Sequence, residues 1–161
     1  MEISIRTLQE QDYPALETTA AQIWHDSYRD MLSPEQRKYM LAQFQSTEAF
    51  ICQSQEGYTY RGLFAGAELI GYCGSVLEGN RIFLSKLYLK SAWHGQGLGR
   101  KLLEDAISLY PDADSIYLTV NKHNPSYDLY RHWGFEVIDA VVTDIGQGYV
   151  MDDYIMERHL K

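Results

Sequence analysis

The spacing of apolar residues predicts a strand and a helix at the start of the chain. In residues 1–7, Ile3 and Ile5 alternate with polar neighbours, which is typical of a half-buried strand. Asp12 is expected to cap the helix that follows, with Pro14 in its first turn. The apolar residues that then recur at helical spacing are Leu16, Ala20, Ile23, Trp24 and Tyr28.

Two more helices and three strands are predicted downstream. Residues 33–36 (SPEQ) predict a helix with a capping box between Ser33 and Gln36, and a third, short helix is expected to begin at Ser46 or Thr47. From Tyr58 the chain becomes rich in β-branched and aromatic residues, and two Gly-containing turn signals divide this stretch. It predicts an antiparallel meander over residues 58–65, 69–77 and 82–89.

The second half of the chain alternates predicted helices and strands. These are a helix over 97–110, a strand over 115–120, a helix over 125–132, and strands over 135–142 and 149–157. The unit over 82–120 is a strand, a crossover helix and a strand, which places its two strands parallel in one sheet. We therefore expect an α/β (α+β) protein with a single mixed, mostly antiparallel sheet of six to seven strands and helices on both faces.

Length and charge narrow the class of protein. The chain has 161 residues, enough for one domain over residues 1–161 but too few for two ordinary cores. Its net charge of −8 argues against non-specific binding to nucleic acid or to anionic membranes. Residues 79–103 nevertheless contain no acidic residue, which indicates either an anion-binding strip or a chance gap. The basic residues of this window are Arg81, Lys86, Lys90, Arg100 and Lys101.

Cysteine usage and the absence of targeting signals predict a cytoplasmic protein. Cys52 and Cys73 are too few for a disulfide framework, and no Cys/His spacing predicts a metal site. The chain shows neither a signal-peptide core nor an uncharged run of about 18 residues that could cross a membrane.

A Gly-rich turn stands between the predicted strand over 82–89 and the helix after it. Gly95, Gly97 and Gly99 would let the backbone approach a ligand, and the free N–H groups of a helix start hold anions. The alternative is a tight turn whose glycines only accept unusual dihedral angles. A Walker A loop is excluded because Arg100, and not a Lys-Ser/Thr pair, follows Gly99. A dinucleotide-binding motif is excluded because the acidic residue that it requires is missing near Asn121.

Two motifs in order resemble those of the GNAT acyltransferase superfamily. Residues 94–99 (HGQGLG) match its (Gln/Arg)xxGx(Gly/Ala) pyrophosphate loop, except that His94 replaces Gln or Arg. Residues 121–135 (NKHNPSYDLYRHWGF) are similar to its Asn, Tyr and Gly-Phe signature. Residues 143–156 further resemble bacterial members near the spermidine/spermine (diamine) N-acetyltransferases.

The resemblance implies acetyl-CoA as donor and a primary amine as acceptor, and no metal is expected because no Cys/His spacing predicts a site for one. Backbone groups of Leu87, Tyr88 and Leu89 would bond the pantetheine arm, and the Leu89 N–H would polarise the thioester carbonyl. Asn121 and Asn124 would bind the same arm, although Asn124 could equally be only a helix cap. The pyrophosphate would lie on His94, Gly95, Gln96, Gly97, Leu98, Gly99, Arg100 and Lys101.

By the same resemblance Tyr130 is the general acid, and it would also contact the donor. A group that protonates the departing thiolate needs a pKa above the thiol value of about 8.5, and a tyrosine near 10 meets this requirement. The alternative is a core tyrosine on an amphipathic helix.

The general base is left open. Many relatives carry Glu on the strand before the loop, but residues 84–87 read LSKL. Candidates are Glu78, His25, Asp26 and Tyr88, and Cys73 could in principle carry the acetyl group. Trp24, Tyr28 and Glu78 are expected to bind the acceptor, because aromatic faces and carboxylates suit an ammonium. Residues 149–156 of the last hairpin could contribute to the acceptor site, and exposed aromatic edges there could support a homodimer.

These features predict an acetyl-CoA-dependent N-acetyltransferase. Its acceptor would be a small cationic amine such as a polyamine, acetylated by direct transfer in a ternary complex. The alternatives are a CoA-binding module without catalysis, which the missing strand glutamate favours, and an acetyltransferase for protein N-termini or lysines.

Overall fold

The computed structural model describes residues 2–161, so Met1, the first residue of the predicted opening strand, lies outside it. Seven strands form one sheet in the order β1-β2-β3-β4-β5-β7-β6. All neighbouring strands are antiparallel except β4 and β5, which are parallel. The predicted α/β class and mixed, mostly antiparallel sheet are confirmed. In chain order the elements are β1 (Ile3–Thr7), α1 (Tyr13–Tyr28), α2 (Pro34–Phe44), α3 (Thr47–Gln55), β2 (Thr59–Ala65), β3 (Glu68–Glu78), β4 (Arg81–Leu89), α4 (Leu98–Ser108), β5 (Ser115–Asn121), α5 (Ser126–His132), β6 (Glu136–Gly146) and β7 (Tyr149–His159).

Serine hydroxyls cap the second and third predicted helices, although at Ser33 only one of the two bonds of the predicted capping box is present. The Ser33 hydroxyl accepts from the Gln36 N–H at 3.1 Å, and the Ser46 hydroxyl caps α3 in the same way. The prediction for Asp12 is wrong: its carboxylate accepts from the Gln9 N–H at 2.7 Å and pairs with Arg6 at 3.0 Å. A single 3₁₀ turn, Glu10–Asp12, precedes α1, so Asp12 closes that turn instead of capping the helix.

Each face of the sheet has its own hydrophobic core. One core lies under α4 and α5 and includes Leu102, Leu103 and Phe135, all essentially inaccessible to solvent. The other lies under α1 and α3 and includes Leu16 and Phe50. Each fully buried side chain of this kind stabilises the fold by roughly 1.5–3 kcal/mol. The helices therefore cover both faces, as predicted.

The sheet opens between β4 and β5. These strands pair only from Arg81 opposite Ser115 to Phe83 opposite Tyr117 and then diverge. β5 stays paired with β7 on its other side as far as Asn121. The opening therefore lies at the carboxyl ends of two parallel strands, where α/β proteins characteristically place their ligands. We call it the β4–β5 cleft.

A β-bulge in β4 changes which way the strand's later side chains point. Ser75 lies opposite Leu84 but Gly74 lies opposite Lys86, so Ser85 is the extra residue. Leu84 packs in the core under α4, whereas the Lys86 amine bonds to Gln53 of α3 on the other face. The bulge therefore turns Lys86 away from α4 and into the core under α1 and α3.

Candidate active site

The Gly-rich turn forms the N-terminus of α4. Gly95 and Gly97 have φ of +80° and +76°, and nothing lies within 4 Å of a Cβ added to either. Glycine is thus needed for the backbone conformation, and the space beside both residues is open. Gly97 is the N-cap of α4, so the N–H groups of the first helical turn have no partner within the helix. This geometry binds anions.

His94, which departs from the family motif, joins the turn to β4. Its Nε2 lies 2.8 Å from the carbonyl oxygen of Leu89. Since that oxygen can only accept, Nε2 carries the proton. The imidazole therefore fixes the end of β4 relative to the helix start.

The free edge of β4 presents two residues to the cleft. The Lys90 N–H donates to the Ile70 carbonyl of β3 at 2.8 Å. Because backbone groups alternate along a strand, the amides of Leu87 and Leu89 point the other way, into the cleft. The backbone amide of Tyr88 points towards β3, where Tyr88 lies opposite Tyr72. The prediction that this amide bonds to a ligand is therefore wrong, although Tyr88 does line the cleft.

One cavity of about 810 Å³ joins the anion-binding turn to the β4–β5 cleft and continues to α1, α2 and β7. Its volume suits a ligand larger than a simple metabolite. The predicted site residues that line it are Trp24, Tyr28, Leu87, Tyr88, Leu89, His94, Gly95, Gly97, Leu98, Gly99, Arg100, Asn121, Asn124 and Tyr130. Gln96 and Lys101 are exposed beside it and do not line it.

Tyr130 projects from α5 to the wall of this cavity. It is 9% exposed and packs edge-to-face on Trp133 and Phe135, with ring centroids 5.7 Å apart in both pairs. Burial raises the pKa of Tyr130, and the neighbouring Tyr28 adds to the increase. The phenol therefore stays protonated at neutral pH, which is the state that a proton donor requires.

Asn124 connects the two sides of the cavity. Its Oδ1 accepts from the Ser126 N–H at 2.9 Å, and its Nδ2 donates to the Tyr28 hydroxyl at 3.3 Å. The side chain therefore holds the start of α5 and links it to α1. Asn121 is used locally, because its Oδ1 accepts from the His123 N–H at 2.9 Å.

Several predicted residues lie elsewhere. Glu78 lies opposite Arg81 at the turn of the β3–β4 hairpin, away from the cavity, and its carboxylate accepts from the Tyr117 hydroxyl. The prediction that Glu78 binds the amine is therefore wrong. His25 is exposed and does not line the cavity, whereas Asp26 does. Cys73 lies in the core under α4, where burial raises the pKa of its thiol to about 12. A thiol held in that state is a poor acetyl carrier.

Asp153 on β7 also lines the cavity; it lies in the segment 149–156 that was expected to contribute to the acceptor site, but its carboxylate was not singled out. It is 4% exposed, and burial, with a smaller effect of Asp152, raises the pKa of its carboxyl to about 6. A sequence signal existed: Met151, Asp153 and Ile155 alternate on one face of a predicted strand, which puts an acid between two apolar residues.

Lys86, which the sequence analysis named only as a basic residue of the window 79–103, lines the cavity as well. It is 5% exposed, and its Nζ donates to Gln53 Oε1 at 2.8 Å and to the Tyr60 hydroxyl at 2.9 Å. Burial lowers the pKa of Lys86 to about 7. It stands in the stretch where many relatives carry the glutamate base.

Residues 2–161 contain no cluster of three or more His, Cys, Asp or Glu side chains arranged to hold a metal. None of the helices that the structure describes is both long and apolar enough to cross a membrane.

Comparison with known proteins assigns the family. The profile of the acetyltransferase (GNAT) domain matches residues 9–151. A spermidine N(1)-acetyltransferase from Thermoplasma acidophilum is 26% identical over 160 residues, which cover 94% of this chain and 97% of that protein. The crystal structure of PaiA N-acetyltransferase from Thermoplasma acidophilum in complex with coenzyme A superposes with a TM-score of 0.83, at 27% identity and 99% coverage of both chains.

A GCN5-related N-acetyltransferase from Rhodopseudomonas palustris shares the fold, with a TM-score of 0.82 at 14% identity over 99% of this chain and 97% of that one. The profile match spans most of the sequence and includes both motifs, the α4 turn and the β4–β5 cleft. The chain belongs to the GNAT acetyltransferase family and is an N-acetyltransferase.

Proposed function

We propose that this protein transfers the acetyl group of acetyl-CoA directly to a primary amine, and that the amine is a small cationic molecule such as a polyamine. The observation that carries the proposal is the continuity of one cavity from the α4 N-terminus, through the cleft, to Tyr130 and the acidic wall beyond it. The names of the Thermoplasma relatives, one a spermidine acetyltransferase and one bound to coenzyme A, support both halves of the proposal.

The donor half of the site fits acetyl-CoA. The free N–H groups at the start of α4 would hold the pyrophosphate, with the Arg100 guanidinium nearby. The free edge of β4 would pair with the pantetheine arm as an added strand would, through the amides of Leu87 and Leu89. The Leu89 N–H would then lie beside the thioester carbonyl and stabilise negative charge on its oxygen.

Bound acetyl-CoA supplies an electrophilic acetyl carbon and a thiolate leaving group. Tyr130 protonates that sulfur, because it is the phenol that α5 holds beside the cleft. Transfer is direct, since Cys73 lies in the core with a thiol too basic to act as an intermediate carrier.

The acceptor half of the cavity favours a cation. The carboxylates of Asp26 and Asp153 line it together with the aromatic rings of Trp24 and Tyr28. The two rings pack at a centroid distance of 4.8 Å. A wall that combines carboxylates with aromatic faces attracts ammonium groups and repels anionic acceptors.

Two measurements on the purified protein test the proposal. Calorimetric titration with coenzyme A should show saturable binding, and release of thiol from acetyl-CoA should require a polyamine. A panel of spermidine, spermine, putrescine, amino acids and basic peptides ranks the acceptors. Binding without turnover on any amine would instead support a non-catalytic CoA-binding module, and turnover on peptides alone would support a protein acetyltransferase.

A further inference from the structure

Asp153 is a buried carboxylate without a cationic partner. It is 4% exposed, and no basic side chain among residues 2–161 forms an ion pair with it. Its chain neighbour Asp152 is more exposed and lies 3.0 Å from the ammonium of Lys122. Side chains alternate along a strand, so the two carboxylates point to opposite faces of the sheet.

Burial of an unpaired charge is costly, so it requires an explanation. Asp153 lies opposite Asn121 on β5 and Val141 on β6, beside Asp152 on its own strand, and shares the cavity with Tyr28 of α1. None of these carries a positive charge. The cavity that Asp153 lines gives a cation access to its carboxylate.

The position of Asp153 also suits the transfer step. Tyr28, Tyr130 and Asp153 all line the same cavity, and Asn124 joins the Tyr28 hydroxyl to the start of the helix that carries Tyr130. A cation held by Asp153 would therefore lie in the same cavity as the phenol that protonates the leaving sulfur.

We infer that Asp153 binds the acceptor's ammonium group and takes a proton from it before transfer. This inference rests on the proposed function, to which it adds the missing base. It also explains how the site can work although the stretch before the Gly-rich turn, residues 84–87, carries no glutamate.

The transfer step conserves protons and bonding electrons. The acceptor enters as R–NH3⁺ and gives one proton to Asp153, which leaves a lone pair on nitrogen. That nitrogen forms a C–N bond to the acetyl carbon, the C–S bond breaks, and the sulfur leaves with the bonding electrons and takes the Tyr130 proton. The second amine proton then returns to Tyr130, and Asp153 releases its proton to water.

The proton transfer is helped by the dry surroundings. Burial lowers the pKa of an ammonium and raises that of a carboxylate. The neutral amine and neutral carboxylic acid therefore become more stable relative to the ammonium–carboxylate pair. A carboxyl that titrates near neutral pH is matched to the role of general base.

The test compares wild type with Asp153→Asn and with the matched control Asp152→Asn. With spermidine as acceptor, Asp153→Asn should lower kcat/KM at pH 7 by about 100-fold or more, the usual contribution of a general base. Coenzyme A affinity should not change. In the wild type, kcat/KM should decrease as the pH falls through about 6. This decrease should be absent in Asp153→Asn.

Two readouts separate the proton-transfer role from a purely structural one. The deficit of Asp153→Asn should shrink as the pH approaches about 10, where amines arrive already neutral. Asp152→Asn should keep wild-type kcat/KM at pH 8 and move the acid limb to lower pH, because it removes a neighbouring negative charge. A deficit in Asp153→Asn that is constant from pH 6 to 10 would overturn the proton-transfer role.

Amine binding is measured independently of turnover. In the coenzyme A complex, calorimetry should show that Asp153→Asn binds spermidine at least tenfold more weakly than wild type at pH 7. Equal affinity, or kcat/KM within threefold of wild type, would overturn the inference and leave the proposed function standing. Weaker amine binding in a protein whose wild type acetylates no amine would support Asp153 as the ammonium site and overturn the proposed function.

Discussion

The ammonium nitrogen of Lys86 lies 2.9 Å from the Tyr60 hydroxyl, inside the core under α1 and α3. Its other bond within 3 Å is to Gln53, at 2.8 Å. Both partners are uncharged, so the protein buries this lysine without a counterion. The side chain reaches this position because the bulge at Ser85 turns it off the face that carries α4.

Replacement of Lys86 by Met should stabilise the fold at neutral and acidic pH. Burial lowers the pKa of Lys86 to about 7 from 10.5, so below pH 7 the fold bears the full cost of a buried ammonium. The cost fades as the pH rises towards 10.5, since the unfolded chain then also loses the proton. Met fills similar volume, and Gln53 and Tyr60 remain bonded to each other.

We expect a gain of about 2 kcal/mol at pH 6, after the lost hydrogen bonds are subtracted, and almost none near pH 10. Thermal melts across this pH range measure the difference. Lys90→Met is the matched control, because Lys90 is only part-buried and is paired with Glu68. An equal gain for both variants, or a gain that grows with pH, would contradict the explanation.

Gly97→Asp should strongly weaken coenzyme A binding in a folded protein. The substitution places a negative charge at the N-terminus of α4, where the pyrophosphate would lie. Affinity should fall at least about 30-fold, equivalent to about 2 kcal/mol. Calorimetry with coenzyme A measures it.

The control for this substitution is Gly79→Asp. Gly79 has φ of +65° and open space around a Cβ, as Gly97 does, but it lies in the β3–β4 turn away from the cavity. Both variants should lose similar stability from the left-handed backbone. Wild-type affinity in Gly97→Asp would show that the glycines serve only the turn.

Tyr130→Phe should lower kcat by about 100-fold and leave the dissociation constant of acetyl-CoA within twofold of wild type. The ring still packs on Trp133 and Phe135, so only the proton donor is lost. Steady-state kinetics of thiol release measure the first effect and calorimetry the second. The control is Tyr127→Phe, one turn earlier on α5 and outside the cavity, which should be active. An unchanged kcat in Tyr130→Phe would show that Tyr130 is not the general acid.

Most of the fold could be predicted from the sequence, because the signals are local. The alternation of Ile3 and Ile5, the caps at Ser33 and Ser46 and the glycines before α4 each act within a few residues. The parallel pairing of β4 and β5 followed from the helix between them.

The errors have long-range causes. Glu78 stands close in sequence to the strand that lines the cavity, but the hairpin carries it to the opposite end. One extra residue at Ser85 reverses the face of Lys86, and alternation read from the sequence does not reveal a bulge. Asp153 is buried in a cavity whose other walls come from distant parts of the chain, such as Tyr28 of α1. Its alternation with apolar residues indicated the face of β7, but not what would cover it.

His94→Ala should weaken acetyl-CoA binding, whereas His94→Gln should preserve it. The imidazole donates to the Leu89 carbonyl at 2.8 Å and so holds the end of β4, whose Leu89 amide is expected to meet the thioester. Alanine loses this bond, worth about 1 kcal/mol, so the KM for acetyl-CoA should rise about fivefold. Glutamine carries an amide N–H that can restore the bond, and it is the residue usual in the family motif. Steady-state titration with acetyl-CoA at saturating amine measures both variants. Equal KM values for the two would show that the imidazole does not position this strand end.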